Sequence, residues 1–83
     1  MFFTYILKSL QNGYYYVGSC RDIDKRFNLR NARQVNSTKR YVPWELVYVK
    51  KYTTLSKAVK RERQIKSWKS KIAIDKLIKD FKI

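Results

Sequence analysis

The chain has 83 residues, with 20 Lys and Arg against 6 Asp and Glu, for a formal net charge of +14, and 45% of it is hydrophobic. A chain of this length buries one modest core, so a single domain over residues 1–83 is expected, and the apolar content excludes a disordered basic tail. The chain has no histidine, which excludes Ser-His and Cys-His catalysis and every metal site built on imidazole. Its single cysteine, Cys20, cannot form an internal disulfide, as suits a reducing compartment.

Residues 2–10 are rich in aromatic and branched side chains and predict a strand. Asn12-Gly13 is a strong turn dipeptide, and residues 14–20 predict the returning strand of a hairpin. Asp22 is a candidate N-cap for a helix over about 23–32, with Ile23 and Phe27 on its inner face and Arg26 and Arg30 bordering that face. Residues 33–43 carry Lys39, Arg40 and Pro43 and predict an exposed basic loop. A third strand follows over 44–52, whose apolar run 46–49 implies cover on both faces.

Thr53 or Thr54 caps a helix expected over 55–68. Ser70 caps a last one over 71–81, with Ile74, Leu77, Ile78 and Phe81 facing inward. The order β-β-α-β-α-α predicts an α/β (α+β) domain in which a small three-stranded antiparallel sheet is packed with helices.

A net charge of this size repels itself unless an anionic partner is near. Nucleic acid is the expected partner. The cations spread over loops and several helices rather than along one basic amphipathic helix, which argues against a membrane surface. The apolar run 1–7 is too short to span a bilayer and lacks the flanks of a signal peptide, so a cytoplasmic location is expected.

Helical spacing places Leu55, Ala58, Val59 and Ile65 on one face, and Glu62 falls near the middle of that stripe, opposite Lys57, Lys60 and Gln64. A carboxylate aimed at a core is costly unless it is paired or bound to a cation. Two readings stay open: a salt bridge to Arg26 or Arg30, or a ligand for a hard divalent metal at a phosphate-cleaving site. A phosphate-binding domain favours the metal.

Tyr5 and Tyr16 lie on the two arms of the hairpin. A two-residue turn at Asn12-Gly13 would set Leu7 opposite Gly18 and leave the tyrosines about 13 Å apart, too far to serve one phosphate. A working site therefore needs a longer or bulged turn that slides the pairing. Gly18 suits a close approach of backbone or ligand. Arg26, at the edge of the core, is suited to clamping a phosphate with paired planar donors.

These residues, in order, resemble the GIY-YIG nuclease family, in particular its small stand-alone members. The likeness is more distant to the amino-terminal nuclease domain of the bacterial excision-repair endonuclease. Tyr5-Ile6-Leu7-Lys8-Ser9 resembles the first motif and Tyr16-Val17-Gly18-Ser19 the second. Asp22 to Phe27 resembles the arginine-bearing helix, Ser37 to Arg40 with Pro43 to Tyr48 the loop and third strand, and Ala58 to Lys66 the glutamate-bearing helix. Thr4 stands where the first motif has its leading glycine, and Arg30 where His or Tyr is common.

The resemblance implies a metal-dependent endonuclease hydrolysing DNA phosphodiester bonds, with Tyr5, Tyr16, Arg26 and Glu62 catalytic. Glu62 would hold one Mg²⁺ or Mn²⁺. Gly18, Arg30, Lys39 and Arg40 would contact nucleic acid, DNA in preference to RNA, in a role such as DNA repair. The alternative is a catalytically weak or inactive binding module of the same fold, because an arginine at position 30 takes up no proton at neutral pH. The small size is compatible with action as a homodimer or beside a targeting partner.

Overall fold

The structure, a computed structural model, describes residues 1–25 and 43–81. Three antiparallel strands form its sheet: β1 (Phe2–Ser9), β2 (Tyr15–Cys20) and β3 (Trp44–Tyr52), in the order β2-β1-β3. The two described helices are α1 (Leu55–Ser67) and α2 (Lys71–Asp80). The expected fold class is therefore found, and the three strands and last two helices follow the expected order with ends shifted by about a residue.

The central strand carries the core because both of its faces are covered. Thr4, Tyr5, Ile6 and Leu7 are all buried. Side-chain alternation sends Tyr5 and Leu7 to one face, where they pack with Cys20 and Trp44 and against Tyr16 and Ile23. Ile6 points to the other face with Val17, Tyr48 and Ile65, under the apolar side of α2. Ile74, Leu77, Ile78 and Phe81 supply that side, as their spacing predicts, and the Phe81 ring lies 5.2 Å from that of Tyr48.

The apolar run of β3 reaches both faces through a bulge. Ile6 pairs with Tyr48 and Leu7 with Leu46, so Val47 is the extra residue, and it joins Tyr48 on the helix-covered side.

A four-residue turn closes the hairpin. Ser9 and Tyr14 pair through Ser9 N to Tyr14 O at 2.8 Å, and the Gly13 N–H donates to the Ser9 carbonyl at 2.9 Å, with Gly13 in the left-handed region at φ 75°. The buried Ser9 hydroxyl accepts from the backbone N–H of Gln11 at 3.2 Å and of Asn12 at 3.4 Å. The Asn12 side chain accepts from Tyr14 N at 3.0 Å. Asn12-Gly13 thus belongs to a turn twice the length of the two-residue form, because Ser9 holds its backbone donors.

Asp22 caps the first helix as expected, its Oδ1 accepting from Lys25 N at 3.0 Å, and the chain is helical at 23–25. The rest of the span expected for that helix, and the segment expected as a basic loop, lie outside the described residues. Thr54 rather than Thr53 caps α1, and Ser70 caps α2, each accepting a backbone N–H at 3.2 Å. The Thr4 hydroxyl donates to the Ala58 carbonyl at 2.7 Å and pins α1 to the central strand.

Between α1 and α2, Lys69 adopts φ 48°, the sole positive φ of a non-glycine residue among the described residues. It follows the C-cap Trp68, the position where glycine is usual. Relieving that strain in Lys69→Gly, less the entropy glycine adds to the unfolded chain, should raise stability by about 0.5–1 kcal/mol. A thermal melt checks this: Tm is expected to rise by a few degrees.

Candidate active site

The four-residue turn slides the hairpin so that Tyr5 pairs with Gly18 and Leu7 with Tyr16. Tyr5 and Tyr16 are then two strand positions apart on one face, and their rings stack with centroids 6.4 Å apart. The slide that a working site requires is therefore present. Trp44 closes the aromatic group, edge-on to Tyr16 at 6.3 Å.

Gly18 is where this packing is tightest. A Cβ at this position would stand 2.6 Å from the Tyr5 hydroxyl, 2.8 Å from its Cζ and 3.1 Å from Tyr16 Cε1. The Tyr5 ring and hydroxyl thus lie over Gly18 of β2, an edge strand of the sheet. No side chain larger than hydrogen allows this.

Glu62 approaches the same strand from the opposite face. Ser19, next to Gly18 but alternating to the helix side, donates its hydroxyl to Glu62 Oε1 at 2.6 Å. Lys66 Nζ binds the other oxygen, Oε2, at 2.6 Å, one helical turn along α1. The two donors differ in how far the sequence discloses them. Lys66 was readable as an i,i+4 neighbour, whereas Ser19 needed the packing of α1 on β2.

The structure corrects two expectations about α1. Ala58 and Ile65 are its buried residues, while Leu55 is 50% exposed. The apolar stripe is narrower than spacing predicts, and Glu62 lies at its margin, with a side chain 17% exposed. Its cationic partner among the described residues is Lys66. Arg26 and Arg30, the partners weighed from sequence, lie outside the described residues, as do Lys39 and Arg40.

Burial pushes the Glu62 carboxyl upward. The hydrogen bonds from Lys66 and Ser19, with the positive charges of Lys66 and Arg63, outweigh burial and hold it below the ordinary value of 4.5. Glu62 is therefore ionised at neutral pH. Because its folded value is depressed, the stability it contributes is in place above the unfolded value and is lost as pH falls through the folded one.

No group of three or more Cys, Asp or Glu that could hold a metal is present among the described residues. A lone ionised carboxylate still suits Mg²⁺ or Mn²⁺. Such ions keep most of their waters and are commonly held by one or two carboxylates together with substrate phosphates. Among the described residues, no helix is long and apolar enough to cross a membrane.

Residues 1–76 match the family described as the GIY-YIG catalytic domain. The chain is similar to a UPF0213 protein of Staphylococcus epidermidis, 40% identical over 67 residues that make up 80% of each chain. It is also similar to a UPF0213 protein of Staphylococcus aureus, 39% identical over the same share of both chains. No solved structure gives a significant match.

Two outcomes test this geometry. Gly18→Ala should cost about 1–3 kcal/mol in a denaturant melt, because the added methyl would press on the buried Tyr5 ring. Ser19→Ala and Lys66→Met should each raise the Glu62 pKa, since burial then acts with one opposing donor fewer. A carboxyl NMR titration reads that shift.

Proposed function

The chain belongs to the GIY-YIG catalytic domain family, whose members are generally endonucleases, and from that premise we propose that it is a divalent-metal-dependent endonuclease acting on DNA. The observation that carries the reading is the convergence on one sheet edge. The stacked Tyr5–Tyr16 pair reaches β2 from one face, and an ionised, half-buried Glu62 reaches it from the other. The net charge of +14 favours a polyanion there.

In this reading the scissile phosphate lies along the exposed edge of β2. Glu62 would hold one Mg²⁺ or Mn²⁺, which when bound would stabilise charge on the phosphate and favour ionisation of the attacking water. Tyr5 orients the attacking water and takes part in its deprotonation. Tyr16 positions the water or the phosphate against Tyr5. Arg26 neutralises the charge that develops on the phosphate as the bond breaks. Gly18 gives the Tyr5 ring room to lie against β2, and Arg30, Lys39 and Arg40 contact neighbouring phosphates.

One observation favours a second reading, a module that holds nucleic acid without cutting it. The Lys66 ammonium already neutralises Glu62 at 2.6 Å, so the carboxylate is satisfied with no metal present.

Nicking of supercoiled plasmid and of flapped DNA in Mg²⁺ or Mn²⁺ separates the two. Arg26→Ala should lose about 10²–10³ in rate, and Glu62→Gln and Tyr5→Phe should lose detectable nicking, with each variant folded by circular dichroism. A wild type that never nicks, or variants that nick equally, leaves the binding module as the reading. A second readout is Mn²⁺ binding followed by electron paramagnetic resonance: it should be weak alone, tighten with DNA, and vanish in Glu62→Gln.

A further inference from the structure

Glu62 is the carboxylate on which the proposed reaction depends, and in this structure it already holds a cation. Lys66 Nζ stands 2.6 Å from Oε2, and the Ser19 hydroxyl donates to Oε1 at 2.6 Å. Each donor thus serves one oxygen, but the two are not equally fixed. Ser19 belongs to β2, the strand against which Ile65 of α1 packs through Val17. Lys66 reaches Glu62 along a flexible four-carbon stem and its side chain is 52% exposed, so its ammonium can leave for water with little loss of burial.

The surroundings make this one contact decisive. Lys57, Lys60, Arg61, Arg63 and Lys66 share α1 with a single carboxylate. Arg61 is turned to Gln64, whose Oε1 it bonds at 2.7 Å, and to the Trp68 ring. Arg63 acts on Glu62 through its charge. Among the described residues, Lys66 is the cation that bonds the carboxylate.

An i,i+4 pair on a helix surface ordinarily does no more than add slightly to stability. This pair differs because its carboxylate is partly buried, bonded from a second element, and the group that a metal requires. With Lys66 in place the pair is neutral. A divalent ion added beside the ammonium would leave the site strongly positive, inside a domain whose net charge is already +14. A phosphate supplies the missing negative charge and offers the ammonium another partner.

We propose that Lys66 is a placeholder cation: it holds Glu62 in the free protein and yields the carboxylate to a divalent ion only when a substrate phosphate takes its ammonium. Ser19 stays bonded to Oε1 throughout. The proposal rests on the reading of the chain as a metal-dependent endonuclease. It deepens that reading by making metal uptake conditional on bound DNA.

The test measures binding rather than cutting. Mn²⁺ is titrated into the full chain at neutral pH and followed by electron paramagnetic resonance, alone and with a short DNA duplex. The arms with DNA carry Tyr5→Phe, so that the duplex stays intact. For the protein alone, Lys66→Met should bind Mn²⁺ about tenfold tighter than the wild type, a step within the usual range of coupling between two ligands. Lys66→Gln should act as Lys66→Met does, and Lys66→Arg, which keeps the cation, as the wild type does. DNA should tighten Mn²⁺ binding by a large factor where Lys66 is present and by a smaller one in Lys66→Met. Linkage requires the reciprocal effect: Mn²⁺ should tighten DNA binding, read by fluorescence anisotropy, by the same factor in each protein.

Equal Mn²⁺ affinity of the wild type and Lys66→Met without DNA, or a DNA factor that Lys66→Met leaves unchanged, overturns the placeholder. If Glu62→Gln still abolishes Mn²⁺ binding in that case, the metal reading stands. A protein that takes up no Mn²⁺ even with DNA overturns both.

Discussion

Tyr5 faces Gly18 across the hairpin, and most of the site follows from that pairing. It holds because four residues close the turn, gathered by a buried Ser9 hydroxyl that accepts two backbone N–H groups. With this register Tyr16 falls two positions from Tyr5, so the rings stack, and the Tyr5 hydroxyl lies over a residue with no side chain. A slip of one residue would turn every side chain of β2 to the other face. It would take Tyr16 into the helix-covered core and Ser19 away from Glu62.

The second constraint is charge. Six acidic residues serve a chain with 20 Lys and Arg, and several are committed to structure. Asp22 caps a helix, Asp75 holds Tyr15, and Glu62 is bonded by Ser19 and Lys66. That allocation leaves most cations facing solvent, where self-repulsion disfavours the compact state and a bound polyanion relieves it. Binding and stability are thereby linked: an anionic partner that neutralises these lysines also supports the fold.

The α1–α2 junction shows the same economy. Trp68, Lys69 and Ser70 end one helix and cap the next, and Lys69 does so with a backbone conformation that a glycine would hold with less strain. The junction sits beside the hairpin turn, so a local compromise in stability lies next to the hairpin that carries Tyr16 and Ser19.

The strands, the caps Asp22, Thr54 and Ser70, and the inward face of α2 were legible in the sequence. Each is a local signal: a period of two or 3.6, or a side chain that bonds a backbone group within three residues. The candidate residues Tyr5, Tyr16, Gly18 and Glu62 were legible by type and order, and so was the need for a slid register. Tertiary structure alone decided how that slide is made, since it depends on a serine buried under the strands. It also decided that Leu55 faces solvent, that Ser19 joins the i,i+4 neighbour Lys66 at Glu62, and that tyrosines and glutamate meet from opposite faces around β2. The Ser19–Glu62 contact spans 43 residues of chain, and no local pattern encodes it, because its geometry exists only once the helices are packed on the sheet.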